Sequence, residues 1–596
     1  MNTLVIDFET YDPHLEKLGS GWVHGDMQVL GAACKVNDEL TCYLTNKDDI
    51  INLVNQASTL VAHNLQYDVG ILLMWGVDIS KKELIDTMIL AKLVNNVRTS
   101  YSLDALSKSL LQSTKTDKPL GLAAIRHRLH KISKRKGPRT AQWKERTIKS
   151  AINFAKQNMH LMEKVVPSLV ESYAIQDVDL TYRLYRMLSP EVSNDWKQKT
   201  SRVYKVLLKQ RQKGIRIDRD RIIEVRDHLK DVEQEHYITM MQYVPENLIE
   251  NFNPNSPKQL VEILDNERID YPRTAKGNPS VTSEWLNSFD TEECHPFLAS
   301  LSLYRKFQKA RRDFCDAVLA AQELLPNGKK GRVYPEFKLF GARTGRFSCA
   351  NPNIQQIPSR DKEIGPLVRS CYLPEEGEEW YSLDFSSQES RLQIHYAALL
   401  NVESGKYWAC EYQNNPRLDL HALVAELADI DRTQAKTINL GLSYGMGGLK
   451  LAKSLKLTSA QARELTSKYH NAVPYLKELN EACKKSMSKK GYIKTLLGRQ
   501  SYIDPPIYEK GKKITFEYKA LNKLIQGSAA DQVIQALLMI DEIGIDVLFS
   551  VHDEINVSAP SKEIAERVKK VMETCADLQV PMITDIGKGK NWAQAK

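Results

Sequence analysis

Acidic residues beside apolar, strand-like runs constrain this chain more than any other feature. Asp7-Phe8-Glu9 follows such a run, and residues two apart on a strand point to one face. Asp384 follows a second run, and Asp553 lies between two more. The first 190 residues alternate strand-like and helical segments, which predicts an α/β domain. We therefore expect mixed α/β structure that gathers carboxylates at two places.

The N-terminal carboxylates form three spaced patterns: D-x-E, N-x-x-x-D and Y-x-x-x-D. They comprise Asp7, Glu9, Asn64, Asp68, Tyr173 and Asp177. Tyr173 and Asp177 are four apart and so share one face of a predicted helix. Converging carboxylates repel unless cations hold them, and Mg²⁺ prefers oxygen ligands. Two such ions can stabilise the attacking and leaving oxygens of a phosphodiester, and Tyr173 could orient the attacking water.

The C-terminal half holds a second ordered set in three segments. Asp384 lies where a buried strand turns toward a helix, and His552-Asp553-Glu554 indicates a hairpin with acids near its tip. Between them, a helical stripe with a spacing of four comprises Arg432, Lys436, Leu440 and Tyr444.

Phosphoryl transfer suits this second set because it needs positioning and charge neutralisation more than covalent help. Asp384 and Asp553 would hold two Mg²⁺ ions between a primer 3′-OH and a nucleotide α-phosphate. Arg432 would grip the triphosphate by its planar fork and Lys436 as a point charge. Leu440 and Tyr444 would form the wall on which the incoming base stacks. Each pattern is common alone as a surface feature, so the argument depends on their occurring together and in order.

Composition constrains fold and function less than these residue patterns do. Apolar residues make up 42% and charged residues 26%, with a formal charge of +9 and nine cysteines, none spaced as C-x-x-C. We expect a reducing, intracellular protein without a zinc site of the usual spacing. No run of about 18 apolar residues suggests a membrane span. Twelve lysines and arginines between 112 and 149, against two acids, could bind phosphates or simply form a solvated loop and helix.

The N-terminal set resembles the DEDD-type 3′→5′ exonuclease domain with a tyrosine in its third motif, over about residues 1–190. Almost the whole chain resembles family A DNA polymerases, the group of bacterial DNA polymerase I and many bacteriophage enzymes. Beyond the residues above, the resemblance rests on Thr344-Gly-Arg346-Phe-Ser348, Asn351–Pro358, Asp419-Leu-His421 and the segment from Asn522 to Asp531.

The resemblance implies further roles. Arg346, Asn522 and Gln526 would contact DNA at the primer end and minor groove, where pair shape can be checked without reading sequence. Asn64 and His552 are further expected DNA contacts, and Glu554 joins the catalytic set. His421 would help bind the triphosphate. Glu389 would be the steric gate against a ribose 2′-OH.

The implied fold is an RNase H-like exonuclease domain followed by a right-hand polymerase. The expected bounds are exonuclease 1–190 with a basic insertion at 112–149, thumb 191–330, palm 331–410 and 535–596, and fingers 411–534. Mg²⁺ is the expected cofactor, two ions per site, with Mn²⁺ as a substitute. Expected partners are primer–template DNA, dNTPs and replisome proteins such as helicase-primase and single-strand binding protein. A monomer in the host-cell cytoplasm, replicating a phage genome, is expected.

Some positions depart from the family pattern. Leu440 stands where the family usually has Phe or Tyr, which leaves terminator selectivity and nucleotide preference open. Ser387-Gln388 differs from the bacterial enzymes, although Glu389 keeps its place. No 5′-nuclease domain is expected before Asp7, and no processivity factor is expected at the thumb. The basic segment is hypothesised to contact DNA or a replisome partner.

Three alternative functions fit these residues less well. Glu389 and the full exonuclease set argue against a single-subunit RNA polymerase. Both palm aspartates and the fingers cations argue against a nuclease with an inactive polymerase half. A non-enzymatic DNA-binding protein with an electrostatic groove would not need two sets of metal-ready carboxylates.

Overall fold

The computed structural model describes residues 2–129, 141–274, 276–289, 293–359, 361–443, 446, 448–455, 457–509 and 511–596. Two compact units divide the chain. The first comprises 1–213, 336–350 and 381–587, and the second comprises 214–335, 351–380 and 588–596. None of the helices in the described ranges combines the length and apolar character that crossing a bilayer requires.

A mixed five-stranded sheet forms the N-terminal part of the first unit. From edge to edge its strands are Cys42–Leu44, Gln28–Val36, Thr3–Tyr11, Thr59–Ala62 and Glu83–Asp86. The first three are antiparallel, and the last two run parallel to Thr3–Tyr11. Thr59–Ala62 is buried along its whole length, which is typical of a central parallel strand covered on both faces.

Helices pack around this sheet, and Pro167–Leu188 contacts both Thr3–Tyr11 and Gln28–Val36. The side chain of Asn46 begins one helix by accepting hydrogen bonds from the backbone of Asp48 and Asp49, as a preferred N-cap does. The α-helices are Leu15–Leu18, Lys47–Gln56, Gln66–Met74, Thr87–Val94, Leu103–Leu110, Lys118–Arg126, Ala141–Gln157, Met159–Val165, Pro167–Leu188 and Asn194–Lys213, with 3₁₀ turns at Gly21–Val23 and Ser189–Glu191.

A four-stranded sheet organises the C-terminal part of the first unit, in the order Val547–Val551, Glu554–Ala559, Glu379–Phe385 and Thr584–Gly589. The helix Ala520–Glu542 is buried on nearly all sides, which agrees with apolar residues spread around its circumference. Its second half shares a hydrophobic core with Tyr381, Leu383 and Phe385 of the sheet.

Further helices and hairpins complete this part. The helices are Gln388–Leu399, Glu403–Asn414, Leu420–Ala428, Arg432–Ser443, Gly448–Ser454, Ser459–Ala472, Pro474–Lys490 and Lys562–Thr574, with a 3₁₀ turn at Glu517–Lys519. Three two-stranded pairs join Glu336–Lys338 with Ser348–Ala350, Tyr492–Lys494 with Gln500–Tyr502, and Ile507–Glu509 with Lys512–Ile514.

The second unit is mainly helical. Its α-helices are Arg219–Met241, Pro257–Asn266, Ser283–Leu286, Pro296–Ala310, Ala317–Leu324 and Ile364–Arg369, with a π-helical turn at Arg311–Asp316 and 3₁₀ turns at Glu246–Asn251, Asn327–Lys329 and Ile354–Gln356. A small sheet has the order Tyr372–Leu373, Ile215–Ile217 and Arg332–Val333. The helices Arg219–Met241 and Pro296–Ala310 pack along each other.

Candidate active sites

The first carboxylate cluster lies on the central strand of the N-terminal sheet. Asp7 and Glu9 both lie on Thr3–Tyr11, and the pairing register of this strand shifts between Glu9 and Thr10. Asp68 lies in the first turn of the helix Gln66–Met74, and its Oδ1 accepts a hydrogen bond from the backbone N–H of Phe8 at 3.1 Å. This bond ties Asp68 to the strand between the other two acids.

Burial and mutual repulsion dominate the electrostatics of this cluster. Burial and, after it, the charge of Asp177 raise the pKa of Asp7 to about 7, and Lys115 opposes both. Burial also raises the pKa of Glu9 well above its usual value, as do the charges of Asp7, Asp177 and Asp68. Burial also raises the pKa of Asp68 well above its usual value, and the charge of Asp7 is the next largest cause. Such a cluster disfavours full ionisation unless positive charge enters it.

The helix Pro167–Leu188 contributes the remaining pair, Tyr173 and Asp177, one turn apart. The Nζ of Lys115 forms a salt bridge with Asp177 and donates to the Oη of Tyr173 at 3.1 Å. The pKa of Tyr173 is raised by burial and then by the charges of Asp177, Glu9 and Asp7. Within the described residues, Oδ1 of Asp177 is buried without a hydrogen-bond partner.

The donor set of this cluster fits a divalent cation: four carboxylates share one buried region, and one oxygen of Asp177 is orphaned. As they stand, however, no three of the His, Cys, Asp and Glu side chains that the structure describes are grouped closely enough to hold a metal ion. Asn64 has a left-handed backbone (φ 69°), and its N–H donates to Asp86 at 3.1 Å.

The second cluster lies on the C-terminal sheet. Asp384 is exposed on Glu379–Phe385, the strand whose sheet neighbour, Glu554–Ala559, follows the Asp553 turn. The N–H of Phe385 donates to the carbonyl of Asp553 at 3.2 Å, which joins the turn to the strand of Asp384. Burial raises the pKa of the Asp553 carboxyl, while Arg346 and His552 lower it.

The hairpin turn has an unusual backbone. His552 is left-handed (φ 58°), a conformation uncommon outside glycine and found repeatedly at functional sites. Ser387, just after the strand of Asp384, is also left-handed (φ 53°). The side chain of Glu554 is in the sheet interior, only 2% exposed, and accepts a hydrogen bond from Asn556 at 2.9 Å. Its predicted catalytic role stays a prediction.

Arg346 and Glu389 are bound to each other. Nη2 of Arg346 lies 2.7 Å from Oε1 of Glu389, and both side chains are partly exposed. Asp553 feels the charges of both residues. The structure therefore brings the predicted primer-end arginine, the predicted steric gate and one predicted metal ligand together.

The predicted fingers stripe lies on the helix Arg432–Ser443. Arg432 and Lys436 are exposed, and Nη2 of Arg432 lies 2.7 Å from Oδ2 of Asp419. The side chains of His421 and Leu440, and Tyr444 as a whole, lie outside the described residues.

Asn522 and Gln526 are one turn apart on the helix Ala520–Glu542 and are half-buried, while their neighbours are mostly fully buried. This spacing puts both amides on one partly accessible face in the otherwise buried first half of the helix.

Two family models match the chain. The model for DNA polymerase family A covers residues 223–594, and a model for a 3′–5′ exonuclease covers residues 40–193.

The chain belongs to DNA polymerase family A.

Relatives of this family A polymerase include phage enzymes. It is 28% identical to a DNA-directed DNA polymerase of Pseudomonas phage M6, over 99% of this chain and 94% of that protein. It is also 28% identical to DNA polymerase DpoZ of Vibrio phage phiVC8, over 90% of this chain and 87% of that protein. The polymerase is thus a DNA-directed DNA polymerase with a 3′→5′ exonuclease domain, as predicted.

A solved structure supports the fold. The POL domain of Pol1 from M. smegmatis, in complex with DNA primer-template and dNTP, aligns over 100% of this polymerase and 96% of that chain, with a TM-score of 0.74 and 22% identity. The predicted order of an exonuclease domain followed by a polymerase domain is confirmed. Enzymes of this family and their exonuclease domains depend on divalent metal ions.

Sequence reasoning missed Lys115, which contacts Asp177 and Tyr173 of the predicted exonuclease cluster. It also missed Arg499, whose guanidinium is 3.0 Å from the fully buried Asp531 and donates to the carbonyls of Thr344 and Gly527. Asp531 is the last residue of the segment from Asn522 to Asp531. A buried acid there could have predicted a cationic partner. No sequence pattern indicated that this partner is Arg499.

Proposed function

We propose that this polymerase extends a primer 3′-OH on a DNA template with dNTPs at the Asp384–Asp553 site. The observation that carries the proposal is the hydrogen bond from Phe385 to the Asp553 carbonyl, because it holds two predicted metal ligands on neighbouring segments. The resemblance to a polymerase solved with primer-template and dNTP supports the same substrates.

Within this proposal, each residue has a positioning or charge role. Arg432 and Lys436 bind the triphosphate, with His421, Leu440 and Tyr444 completing the nucleotide pocket. Glu389 excludes a ribose 2′-OH. Arg346, Asn522, Gln526 and His552 contact the primer–template duplex, and Glu554 supports the turn of Asp553.

Proofreading is proposed at the Asp7 cluster. Asp7, Glu9, Asp68 and Asp177 would hold Mg²⁺, with Mn²⁺ as a substitute and two ions at this site as at the polymerase site. When bound, such ions stabilise the attacking and leaving oxygens of the phosphodiester. Tyr173 orients the attacking water, and Asn64 contacts the frayed primer end.

The proposed domains are exonuclease 1–190 with a basic insertion at 112–149, thumb 191–330, palm 331–410 and 535–596, and fingers 411–534. We propose that a monomer replicates a phage genome in the cytoplasm of the infected cell, because the relatives that match along most of their length are phage polymerases. Helicase-primase and single-strand binding protein are the proposed replisome partners.

The test is a gel assay of a 5′-labelled primer on a longer template with Mg²⁺, with and without dNTPs. Asp384→Asn should lower extension at least about a hundredfold, since even outer-shell changes at metal sites cost about 10–100-fold. It should leave shortening unchanged. Asp7→Asn should do the reverse. Wild-type extension by Asp384→Asn, or loss of both activities in each variant, would contradict the separation of the two sites.

A further inference from the structure

Lys115 is a buried cation inside the proposed exonuclease site. Its side chain is 7% exposed and that of Asp177 is 8% exposed, and the two form a salt bridge. The ammonium also lies 4.7 Å from the ring centroid of Tyr173, over the ring face, and donates to the hydroxyl of that residue. One lysine therefore contacts both predicted functional groups of the third exonuclease motif.

The position of Lys115 is built into the fold. The N–H of Thr116, the next residue, donates to Oε1 of Gln176 at 2.7 Å, and Nε2 of Gln176 donates back to Oγ1 of Thr116 at 3.1 Å. Gln176 precedes Asp177 on the same helix, so these paired bonds fix the segment of Lys115 against the third motif. Lys156 and Asp117, 2.6 Å apart, form a further ion pair at the same segment, and the ammonium of Lys156 also lies 5.7 Å from the ring centroid of Tyr173.

The negative charge of the carboxylate cluster makes Lys115 relevant to metal binding. Lys115 neutralises part of the charge of four clustered carboxylates, and it holds Oδ2 of Asp177 while Oδ1 has no hydrogen-bond partner among the described residues. No three of the described carboxylates are grouped closely enough to hold an ion. A carboxylate oxygen that is bound to an ammonium is not available as a metal ligand in the same geometry.

We propose that Lys115 is an internal cation that holds Asp177 and Tyr173 in the proposed exonuclease site and competes with a divalent ion for the charge of Asp177. The inference rests on the proposed function of Asp177 as a metal ligand. Lys115 is a positioning residue: it sets the divalent-ion concentration at which the exonuclease becomes active. The polymerase site has its own ligands and keeps its own metal requirement.

The experiment measures Mn²⁺ binding to the full-length protein without DNA, by the electron paramagnetic resonance signal of free Mn²⁺. Lys115→Met removes the charge and keeps much of the length, and Lys118→Met is the matched control because Lys118 is exposed in the same basic segment. Competition between two cations is a negative coupling, and removing it should tighten Mn²⁺ binding by about 5- to 150-fold. Lys118→Met and Lys115→Arg should bind Mn²⁺ as the wild type does.

Two further readouts separate this inference from a merely structural role. The metal-free Tm of Lys115→Met should fall, and Mn²⁺ should raise it by more than in the wild type. The Mn²⁺ midpoint for primer shortening should fall, while the midpoint for primer extension stays constant. Lys115→Gln is the second neutral variant if Lys115→Met does not fold.

Unchanged or weaker Mn²⁺ binding by both neutral variants would overturn the inference, even if exonuclease activity were lost, because Lys115 would then act on substrate or structure. Asp177→Asn distinguishes a failure of the proposed function. If that variant binds as much Mn²⁺ as the wild type, Asp177 is not a metal ligand, whatever Lys115 does.

Discussion

The ion pair between Glu389 and Arg346 links two proposed roles. Glu389 excludes a ribose 2′-OH, and Arg346 contacts the primer end. Each is proposed to contact a different part of the substrate complex, yet in the structure the two side chains form an ion pair at 2.7 Å. Both side chains are only partly exposed, so the pair is screened less than a fully exposed surface ion pair. Binding of the primer end by Arg346 would release Glu389 to face the incoming sugar.

Glu389→Ala should admit ribonucleotides. The shorter side chain removes the proposed clash with the 2′-OH, and size discrimination in a pocket is usually worth about 10–200-fold. The kcat/KM ratio of dNTP to rNTP in single-nucleotide extension should fall by about that factor. Glu389→Gln is the control, since it keeps the volume and loses the ion pair. If Glu389→Gln admits ribonucleotides equally, charge pairing rather than size provides the exclusion.

Lys523 gives a prediction about stability and pH. Burial lowers its pKa to about 8, with Asp504 opposing this and Arg343 adding to it. An unfolded lysine has a pKa of about 10.4. Below pH 8 Lys523 is protonated in both the folded and the unfolded protein. Burying its charge then lowers the free energy of unfolding by the full amount. As pH rises from about 8 to about 10.4, the folded state alone releases its proton, and the cost is relieved.

Lys523→Met should therefore raise the free energy of unfolding at pH 7, by up to about 3 kcal/mol from the pKa difference. The gain should shrink as pH rises toward 10. Urea titrations at pH 7 and pH 9.5 without DNA would measure it, with Lys513→Met, on an exposed strand, as the control. Destabilisation by Lys523→Met at pH 7 would show that the ammonium makes contacts worth more than its burial costs.

At the scale of elements, local periodicity explains what the sequence could predict. The spacing of two placed Asp7 and Glu9 on a strand, and the spacing of four placed Tyr173 and Asp177 on one helix, because both follow from backbone geometry. Lys115 could not be predicted, because it meets Asp177 across 62 residues of chain. Only tertiary packing sets such a contact.

The same limit applies to the sheets and to burial. The hairpin of His552 was expected from two apolar runs, but the interior position of Glu554 depends on which face of its strand meets the core. Contacts between residues distant in sequence join three segments, 214–335, 351–380 and 588–596, into the second unit. Neither can be derived from local patterns alone.

The helix Arg432–Ser443 carries the next prediction. Arg432 and Lys436 are exposed one turn apart, as a triphosphate-binding face requires. Arg432→Ala and Lys436→Ala should each raise the KM for dNTP, by about tenfold or more, since charge-assisted hydrogen bonds are worth about 1.5–3 kcal/mol. Gln434→Ala, on another face of this helix, is the control. Primer shortening without dNTPs should be unchanged, and a dNTP KM that does not rise in either variant would contradict the proposal.

For the whole molecule, the relevant quantity is the distribution of charge. The net charge of +9 is modest, but the basic segment 112–149 concentrates cations within the exonuclease region. In its described parts, Arg126, Arg128, Arg146 and Lys149 are exposed. Exposed cations that neutralise phosphates release counterions, so their contribution appears in the salt dependence of DNA binding. Cations of a solvated loop leave that dependence unchanged.

The prediction is that replacing these four residues by Gln lowers the slope of log K for primer–template binding against log salt by up to about four, since each phosphate contact contributes about one. Fluorescence anisotropy from 50 to 300 mM salt would measure it. The matched control replaces Lys562, Arg567, Lys569 and Lys570 of the helix Lys562–Thr574, which changes net charge equally. Equal slopes for both sets would mean that net charge alone acts. A wild-type slope with weakened binding of a replisome protein would instead assign the segment to a protein partner.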